Sequence, residues 1–243
     1  MSYFRRSVDR YGVHSPFLFD LIENVFRGSR RGIQPLESIR QELLKDNRFI
    51  ELRDYGAGSS SGKKMTKISD IARHSLSSRA QCMLLHRLIS HLDIKNVLEF
   101  GSSLGLSSAY MASSGADVIS MEGSSAVHKL AEENFGTMGI DFRLGTFDDI
   151  LNGILAEMPS LDMAFIDGNH RRESTIDYFN VLLDHISEKS VLVFDDIHWS
   201  RGMEEAWHEI LKNDNITLSV DLFWCGMVFF RPGLSGEHFT IRY

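Results

Sequence analysis

The chain has 243 residues, 43% of them hydrophobic, and a formal net charge of −7 at pH 7. Such a length and composition fit one large α/β domain with extra helices, or two small domains, and they exclude a disordered chain. The negative charge disfavours a nucleic-acid partner. The sequence contains no apolar run of about 18 residues and no signal-peptide pattern at its start, so we expect a cytoplasmic protein without a membrane partner. Cys82 and Cys225 lie outside any CxxC pair, which predicts two reduced, buried thiols.

The first part of the chain, residues 1–92, has a helical pattern. In "HSPFLFDLIENVFRG", Ser15 is a candidate N-cap, Pro16 a first-turn proline and Gly28 a stop signal. The segments "PLESIRQELLKDN" and "SSRAQCMLLHRLISHLD" predict two further helices. We therefore predict an N-terminal helical extension or lid over residues 1–92, packed on a core domain over residues 93–243.

The segment "RDYGAGSSSGKKMTK", residues 53–67, predicts a mobile lid or a plain surface loop. It resembles a phosphate-binding P-loop only superficially. Ala57 stands where the first glycine of that motif belongs, and Lys64 stands where Ser or Thr should follow Lys63. The sequence also predicts no strand that leads into it.

From residue 95 onward, short β-rich runs alternate with segments of helix length. The runs are "KNVLEF", "ADVISM", "IDFRLG", "LDMAFID", "SVLVFDD", "ITLSVDLF" and "CGMVFFR". Crossover helices between the first five predict parallel strands, whereas only "WC" separates the last two, which predicts an antiparallel final strand. The predicted fold class is α/β, with a doubly wound, seven-stranded, mostly parallel sheet, an antiparallel last strand and N-terminal helices. This pattern resembles the Rossmann-like fold of class I S-adenosylmethionine-dependent methyltransferases.

The turn after the first of these runs, in "VLEFGSSLGLSSAYMA", predicts the ligand. Gly101 and Gly105 flank Ser103, so the middle glycine of the GxGxxG dinucleotide fingerprint is absent. We expect Glu99 to place a carboxylate near the mouth of the turn, which disfavours a diphosphate and favours a cation. S-adenosylmethionine carries an ammonium group, a sulfonium and no phosphate, so charge favours it over NAD. Ordinary turn geometry remains the alternative for the two glycines.

Two further acidic positions follow the next runs. Glu122, before Gly123, lies about 20 residues beyond the turn, where a carboxylate can accept both ribose hydroxyls. The alternative is a solvated loop acid or a charge at a helix N-terminus. In "LGTFDDIL", either Asp148 or Asp149 lies near the adenine amino group or caps a helix.

Three aspartates follow two strands that are neighbours in the predicted sheet. Asp167 follows "LDMAFI", and Asp195 and Asp196 follow "SVLVF". Neighbouring strands are about 4.8 Å apart, so we expect the three carboxylates to converge at one edge of the cofactor pocket. They would repel one another unless a cation lay between them, and oxygen ligands suit Mg²⁺ or Ca²⁺. The alternative is that Asp195 and Asp196 orient the substrate or bind loop amides without a metal.

These motifs resemble those of the catechol and caffeoyl-CoA O-methyltransferase group over about residues 95–200. The resemblance implies a cofactor-binding set and a set of Mg²⁺ ligands. The cofactor-binding set is Glu99, Gly101, Ser103, Gly105, Ser107, Glu122, Gly123, Asp148 and Asp167, and the metal set is Asp167, Asp195 and Asp196. The chain departs from the group at Asp196, where the group has Asn, and at His170, where the group has its catalytic lysine.

The predicted activity is therefore S-adenosylmethionine-dependent O-methylation of a small-molecule hydroxyl, of phenol or catechol type, with Mg²⁺ as an expected assistant. His170 and Asp167 are the expected catalytic residues, and His198 is an alternative base. Trp199 either roofs the substrate pocket or packs, and Arg171 and Arg172 are solvated charges or hold an acidic substrate.

Several alternatives to this activity stay open from the sequence. They are metal-independent transfer to a sugar or amine, an NAD-dependent oxidoreductase, and a nucleoside-binding protein without chemistry. The acceptor is not readable from the sequence, and a homodimer is one open outcome for the assembly.

Overall fold

A computed structural model describes residues 14–53, 63–234 and 236–242. Its helices are α1 (Pro16–Leu21, continued by a π-helical turn over Ile22–Phe26), α2 (Gln34–Leu43), α3 (Ile68–Ser75), α4 (Arg79–Leu92), α5 (Leu106–Ala112), α6 (Ser125–Phe135), α7 (Phe147–Glu157), α8 (Arg172–Leu183) and α9 (Arg201–Ile210). Its strands are β1 (Phe49–Arg53), β2 (Lys63–Lys67), β3 (Asn96–Phe100), β4 (Asp117–Glu122), β5 (Asp141–Leu144), β6 (Leu161–Ile166), β7 (Ile186–Asp195), β8 (Leu218–Asp221), β9 (Cys225–Phe229) and β10 (Glu237–Thr240). Within these described segments, every helix is too short or too polar to cross a membrane.

The main sheet has eight strands in the order β10-β8-β9-β7-β6-β3-β4-β5. The pairs β3–β4, β4–β5 and β6–β7 are parallel, whereas β9 runs antiparallel to both β7 and β8. The predicted α/β class, the mostly parallel sheet and the antiparallel strand after "WC" are confirmed. The structure adds an eighth strand, β10, which pairs parallel with β8. Its sequence "EHFT" has no apolar run, so the sequence pattern did not indicate it.

Residues 49–67 correct the prediction that no strand leads into the Gly/Ser-rich segment. β1 and β2 form an antiparallel hairpin, with Phe49 opposite Lys67. Ile50 and Leu52 alternate along β1 and pack on a buried apolar cluster, which explains why this short hairpin is stable. The rest of the predicted loop, residues 54–62, lies outside the described residues.

The chain divides by its internal contacts into two compact units, of which one is Gly28–Glu157 and the other consists of the segments on either side. In Gly28–Glu157, β3, β4 and β5 lie side by side, and the glycine turn follows β3. Its apolar cluster joins α2, α3 and α6 through Leu43, Ile71 and Leu130. The boundary predicted at residue 92 falls inside this unit, and the division into residues 1–92 and 93–243 stays a prediction.

The other unit has an aromatic core that seats two helices on β7. The Phe194 ring lies 6.2 Å from that of Phe179 on α8 and 6.1 Å from that of Trp207 on α9, between ring centroids. Gly226 on β9 leaves room for the indole, since a Cβ there would lie 2.6 Å from Trp207 Cη2. This packing fixes the end of β7, where Asp195 lies.

Candidate functional site

The glycine turn connects β3 to α5 through three residues with positive φ. These are Gly101 (φ 93°), Ser103 (φ 46°) and Gly105 (φ 86°). The N–H groups of Gly101 and Ser102 both donate to the carbonyl of Met121 at 3.0 Å, which ties the turn to β4. At Gly105 a Cβ would lie 2.9 Å from Phe135 Cδ2, so this glycine allows the turn to pack against α6. Gly105 therefore faces the core, as the turn-geometry alternative expected.

Glu99 lies beneath the turn rather than at its mouth, which corrects its expected position. Its side chain is fully buried, and its carboxylate accepts hydrogen bonds from the hydroxyls of Ser107, Ser108 and Ser120. Burial raises the pKa of Glu99, while the three hydroxyls act in the opposite direction. The structure thus brings Glu99 and Ser107 together as a cage that anchors α5. In this geometry Glu99 does not face a ligand, so it does not contact an ammonium group directly. The place of Glu99 in the cofactor-binding set stays a prediction.

Glu122 ends β4 and joins two turns. One carboxylate oxygen accepts the N–H of Ser103 at 3.1 Å, and the other accepts the N–H of Ser124 at 2.8 Å. The N–H of Gly123 also donates to it. Burial raises the pKa of Glu122 to about 7, against these three hydrogen bonds, which lower it. The residue is only partly buried, and each carboxylate oxygen keeps a lone pair that can accept a ligand hydroxyl.

The acids after β5 lie in the first turn of α7. Asp149 accepts a hydrogen bond of 2.5 Å from the Thr146 hydroxyl, which is a local contact at the helix start. Asp148 is exposed. The Phe147 ring lies edge-on to Phe100, with centroids 5.3 Å apart, and so holds this turn beside the end of β3. Local capping therefore accounts for Asp149, and a part for Asp148 in adenine binding stays a prediction.

The acidic residues after β6 and β7 come together, as the strand order predicted. Ile166 pairs with Phe194, so the next residues, Asp167 and Asp195, lie side by side and share a hydrogen bond between their carboxyl groups. Burial and the charges of Asp167 and Asp196 raise the pKa of Asp195 well above its ordinary value. Two carboxyl groups in such contact need either a shared proton or a cation.

The carboxylate oxygens of Asp167 and Asp195 suit Mg²⁺, but the side chain of Asp196, the third predicted ligand, is not arranged with them to hold a metal ion. Asp195 Oδ1 is buried and accepts no hydrogen bond from the described residues. Asp196 has a positive φ of 54° and its Oδ2 lies 4.0 Å from His170 Nε2. Among the residues that the structure describes, no three His, Cys, Asp or Glu side chains are arranged to hold a metal ion. Asp167 and Asp195 could supply two oxygen ligands, and a site that includes Asp196 stays a prediction.

His170 lies beside this acidic group. Its Nε2 is 3.6 Å from Asp167 Oδ1, and its ring centroid is 6.0 Å from that of Trp199. Burial lowers the pKa of His170, although the nearby charge of Asp196 acts against this. The imidazole is therefore neutral near pH 7 and can accept a proton. The preceding Asn169 has a φ of 51° and donates to the Tyr178 hydroxyl at 3.0 Å, which holds the loop that carries His170.

The other predicted residues of this loop region have different surroundings. Both ring nitrogens of His198 already face carboxylates, Asp221 at 2.9 Å and Glu204 at 3.2 Å, and the hydrogen bond to Asp221 raises its pKa. Because both of its ring nitrogens are already engaged, His198 is less available than His170 to accept a proton from a substrate. Trp199 is 58% exposed, so it is available to a ligand. Arg171 is also exposed, and Arg172 lies 3.8 Å from a carboxylate oxygen of Glu205, as expected for surface charges.

The residues that support the turn were not predicted from the sequence. Ser108 and Ser120 complete the Glu99 cage, and a buried carboxylate, Glu37, accepts a hydrogen bond from Tyr110 on α5. Small polar residues on buried faces carry little signal in a hydrophobic pattern. A buried acid in an amphipathic helix, such as Glu37 between Leu36 and Arg40, was the one available sign.

Comparisons with known proteins agree with this fold. Residues 98–197, less than half of the chain, match a family model described as a methyltransferase domain. No curated protein sequence matches the chain.

Solved structures with this fold include several methyltransferases. The O-methyltransferase from Bacillus cereus in complex with SAH is 16% identical, with a TM-score of 0.60, over 93% of this chain and 99% of that one. The SAH-bound methyltransferase PaMTH1 from Podospora anserina is 15% identical, with a TM-score of 0.62, over 90% and 97%. The O-methyltransferase TomG from Streptomyces achromogenes, involved in tomaymycin synthesis and bound to SAM, is 20% identical, with a TM-score of 0.56, over 65% and 82%.

Residues 98–197 thus match a methyltransferase domain, and the fold is that of solved methyltransferases bound to SAM or SAH. The resemblance predicted from "VLEFGSSLGLSSAYMA" and the following motifs is confirmed at this level, and so is the expectation of a methyltransferase enzyme.

Proposed function

We propose that this protein transfers the methyl group of S-adenosylmethionine to a hydroxyl group of a small molecule of phenol or catechol type. The observation that carries the proposal is the position of Glu122. Its carboxylate ends β4, holds the glycine turn through Ser103 and retains acceptor capacity for ribose hydroxyls. The O-methyltransferases with the same fold support the reaction type.

The residues of the turn fit a nucleoside without phosphate better than a dinucleotide. S-adenosylmethionine, when bound, supplies a methyl group activated by a positively charged sulfonium. Glu122 accepts the ribose hydroxyls, and the Gly101–Gly105 turn presents its backbone to the rest of the cofactor. Ser103 stands in place of the glycine that lets a backbone approach a pyrophosphate. Glu99 contributes indirectly, since it fixes Ser107 and Ser108 on α5.

His170 is the proposed general base. Its Nε2 takes the proton of the acceptor hydroxyl, and the nearby carboxylates of Asp167 and Asp196 stabilise the imidazolium that forms. The acceptor oxygen then bonds to the methyl carbon while the carbon–sulfur bond breaks, and the electron pair of that bond stays on sulfur. Asp167 and Asp195 would hold Mg²⁺, which would lower the pKa of the acceptor hydroxyl.

Methyl transfer to a panel of catechols and phenols, followed by mass spectrometry, tests the proposal. We expect methylated product with the wild-type protein and a loss of about 100-fold or more in kcat for His170→Asn. His185→Asn is the control, because His185 is exposed after α8. Assays with EDTA and with added Mg²⁺ measure the metal requirement.

The alternatives give different results in the same assays. Product from a sugar or amine that is insensitive to EDTA would replace the phenol proposal with metal-independent transfer. Cofactor binding without any methylated product would favour a nucleoside-binding protein, and binding of NADH alone would favour an oxidoreductase.

A further inference from the structure

A buried carboxylate on α2 connects the N-terminal helices to α5. Glu37 is 6% exposed, and its side chain accepts three hydrogen bonds. The donors are the Tyr110 hydroxyl at 2.7 Å, Arg40 Nε at 3.0 Å and Arg79 Nε at 2.9 Å. Burial alone would raise the pKa of Glu37, but these three hydrogen bonds outweigh it and lower the pKa. Glu37 is therefore a permanent anion at neutral pH.

Tyr110 is the contact of this carboxylate on α5. Its side chain is fully buried, its hydroxyl donates to Glu37, and it accepts the backbone N–H of Ile33 at 3.1 Å. Burial, together with the hydrogen bond and charge of Glu37, raises the pKa of Tyr110, so the hydroxyl keeps its proton and remains a donor.

Gly32 shows that the chain is fitted closely over this pair. A Cβ at this position would lie 2.6 Å from both Glu37 Cγ and the Tyr110 hydroxyl oxygen. Real Cβ atoms do not approach other atoms so closely, so any side chain at residue 32 would push the pair apart. The position thus offers a way to perturb the Glu37–Tyr110 contact without removing either group.

The same short helix carries the anchors of the cofactor turn. α5 has seven residues, too few to be stable as an isolated helix, so its tertiary contacts fix its orientation. Ser107 and Ser108 near its start donate to Glu99 at the end of β3, and Tyr110 lies less than one turn further on. The Gly101–Gly105 turn connects β3 to this helix, and so its shape depends on where α5 lies.

We infer that Glu37 and Tyr110 are positioning residues for the cofactor turn, with α5 as the rigid link between the N-terminal helices and the S-adenosylmethionine site. The inference rests on the proposed cofactor site. It gives residues of the N-terminal helices a part in cofactor affinity, although they lie outside the segment that matches the methyltransferase domain.

Two variants test this inference, with a matched control. Tyr110→Phe removes the hydroxyl, and Gly32→Ala displaces the pair. Gly153→Ala is the control, because Gly153 lies on α7 with no atom within 4 Å of an added Cβ. For both test variants we expect the Kd of S-adenosylhomocysteine, measured by calorimetry, and the KM for the methyl donor to rise about tenfold, which corresponds to about 1.4 kcal/mol. The kcat at saturating donor should stay within about twofold, because the reacting groups are unchanged.

Hydrogen exchange without ligand gives a second, independent readout. Amides of residues 101–108 should exchange about tenfold faster in Tyr110→Phe and Gly32→Ala than in the wild type or in Gly153→Ala. The wild-type protein could bind S-adenosylhomocysteine while both test variants show the same Kd and the same exchange rates as the wild type. That result would overturn the inference and leave the proposed function intact. A lower kcat at unchanged KM would also overturn it. A wild-type protein that binds neither S-adenosylmethionine nor S-adenosylhomocysteine would instead refute the proposed function, and the inference with it.

Discussion

Replacement of Glu122 by glutamine tests the cofactor site at the carboxylate that ends β4 and contacts the glycine turn. Glu122→Gln keeps the size of the side chain but removes its charge and replaces one carboxylate oxygen with an NH₂ group. The backbone N–H of either Ser103 or Ser124 then faces a donor instead of an acceptor. A ligand hydroxyl also loses one of its two possible acceptors.

The expected loss of affinity follows from the strength of a hydrogen bond to a charged group. Such bonds contribute about 1.5–3 kcal/mol, so the Kd of S-adenosylhomocysteine at pH 8 should rise about 10- to 100-fold in Glu122→Gln. Calorimetry gives this Kd directly. Glu133→Gln is the control, because Glu133 is an exposed residue of α6.

The pH dependence gives a second magnitude. The pKa of Glu122 rises from its ordinary value of 4.5 to about 7 on folding. A group with a raised pKa stabilises the folded state fully below pH 4.5, and this stabilisation is lost as the pH rises through 7. At about 1.4 kcal/mol per pKa unit, the loss is at most roughly 3 kcal/mol. The Tm of Glu122→Gln relative to wild type should therefore increase between pH 5 and pH 8, measured by differential scanning.

Two results would refute this reasoning about Glu122. Equal affinity of Glu122→Gln and wild type for S-adenosylhomocysteine would remove Glu122 from the site. A wild-type Kd that does not tighten between about pH 6 and pH 8 would show that the carboxylate is already ionised in the free protein, contrary to a pKa near 7.

Three further predictions concern other parts of the molecule. Gly105→Ala should lower the free energy of unfolding by about 2–4 kcal/mol in urea titrations. The added methyl group is strained at a φ of 86° and would lie 2.9 Å from Phe135 Cδ2. A loss below about 0.5 kcal/mol would contradict this explanation of the turn. Asp195→Asn should raise the Tm of the metal-free protein by a few degrees, because it relieves a buried repulsion with Asp167. The variant should also abolish any Tm increase that Mg²⁺ gives the wild type. A lower Tm of the metal-free variant would contradict this prediction. Asp167→Ala should mainly reduce turnover, and a large rise in the Kd of S-adenosylhomocysteine with unchanged kcat would be the contrary result.

The fold was predictable because its signals are local and repeated. Buried strands such as "VLEF" and "VLVFD" are nearly continuous apolar runs, and the spacing between runs distinguishes crossover helices from a hairpin. The strand β10 was not predicted, because a strand at the edge of a sheet needs no apolar run. The hairpin of β1 and β2 was not predicted either, because only the alternating Ile50 and Leu52 of β1 pack against the apolar cluster.

The positions of the acidic residues at the site were predictable from the sequence, but the contacts of their side chains were not. Sequence spacing indicated that Glu99 and Glu122 lie near the carboxyl ends of neighbouring strands, and both do. Spacing does not say which groups a side chain at the end of a strand will contact. Glu99 turns inward to three serine hydroxyls, whereas Glu122 turns to the backbone of the glycine turn. Glu99 therefore does not place its charge at the mouth of the turn, and the preference for S-adenosylmethionine depends on the backbone geometry of the turn instead.

The acidic cluster shows a similar division. The strand order brought Asp167 and Asp195 into contact, as expected from neighbouring parallel strands. The backbone of Asp196, with its N–H bound to the Trp224 carbonyl at 2.7 Å, directs its side chain toward His170. That positive-φ turn depends on the pairing of β7 with β9, which no local pattern around Asp196 encodes.

Calorimetry of the wild-type protein with S-adenosylhomocysteine and, separately, with NADH distinguishes the two cofactors. We expect saturable binding of S-adenosylhomocysteine at one site per chain and no heat of binding from NADH. Tight binding of NADH, with no binding of S-adenosylhomocysteine or S-adenosylmethionine, would contradict it.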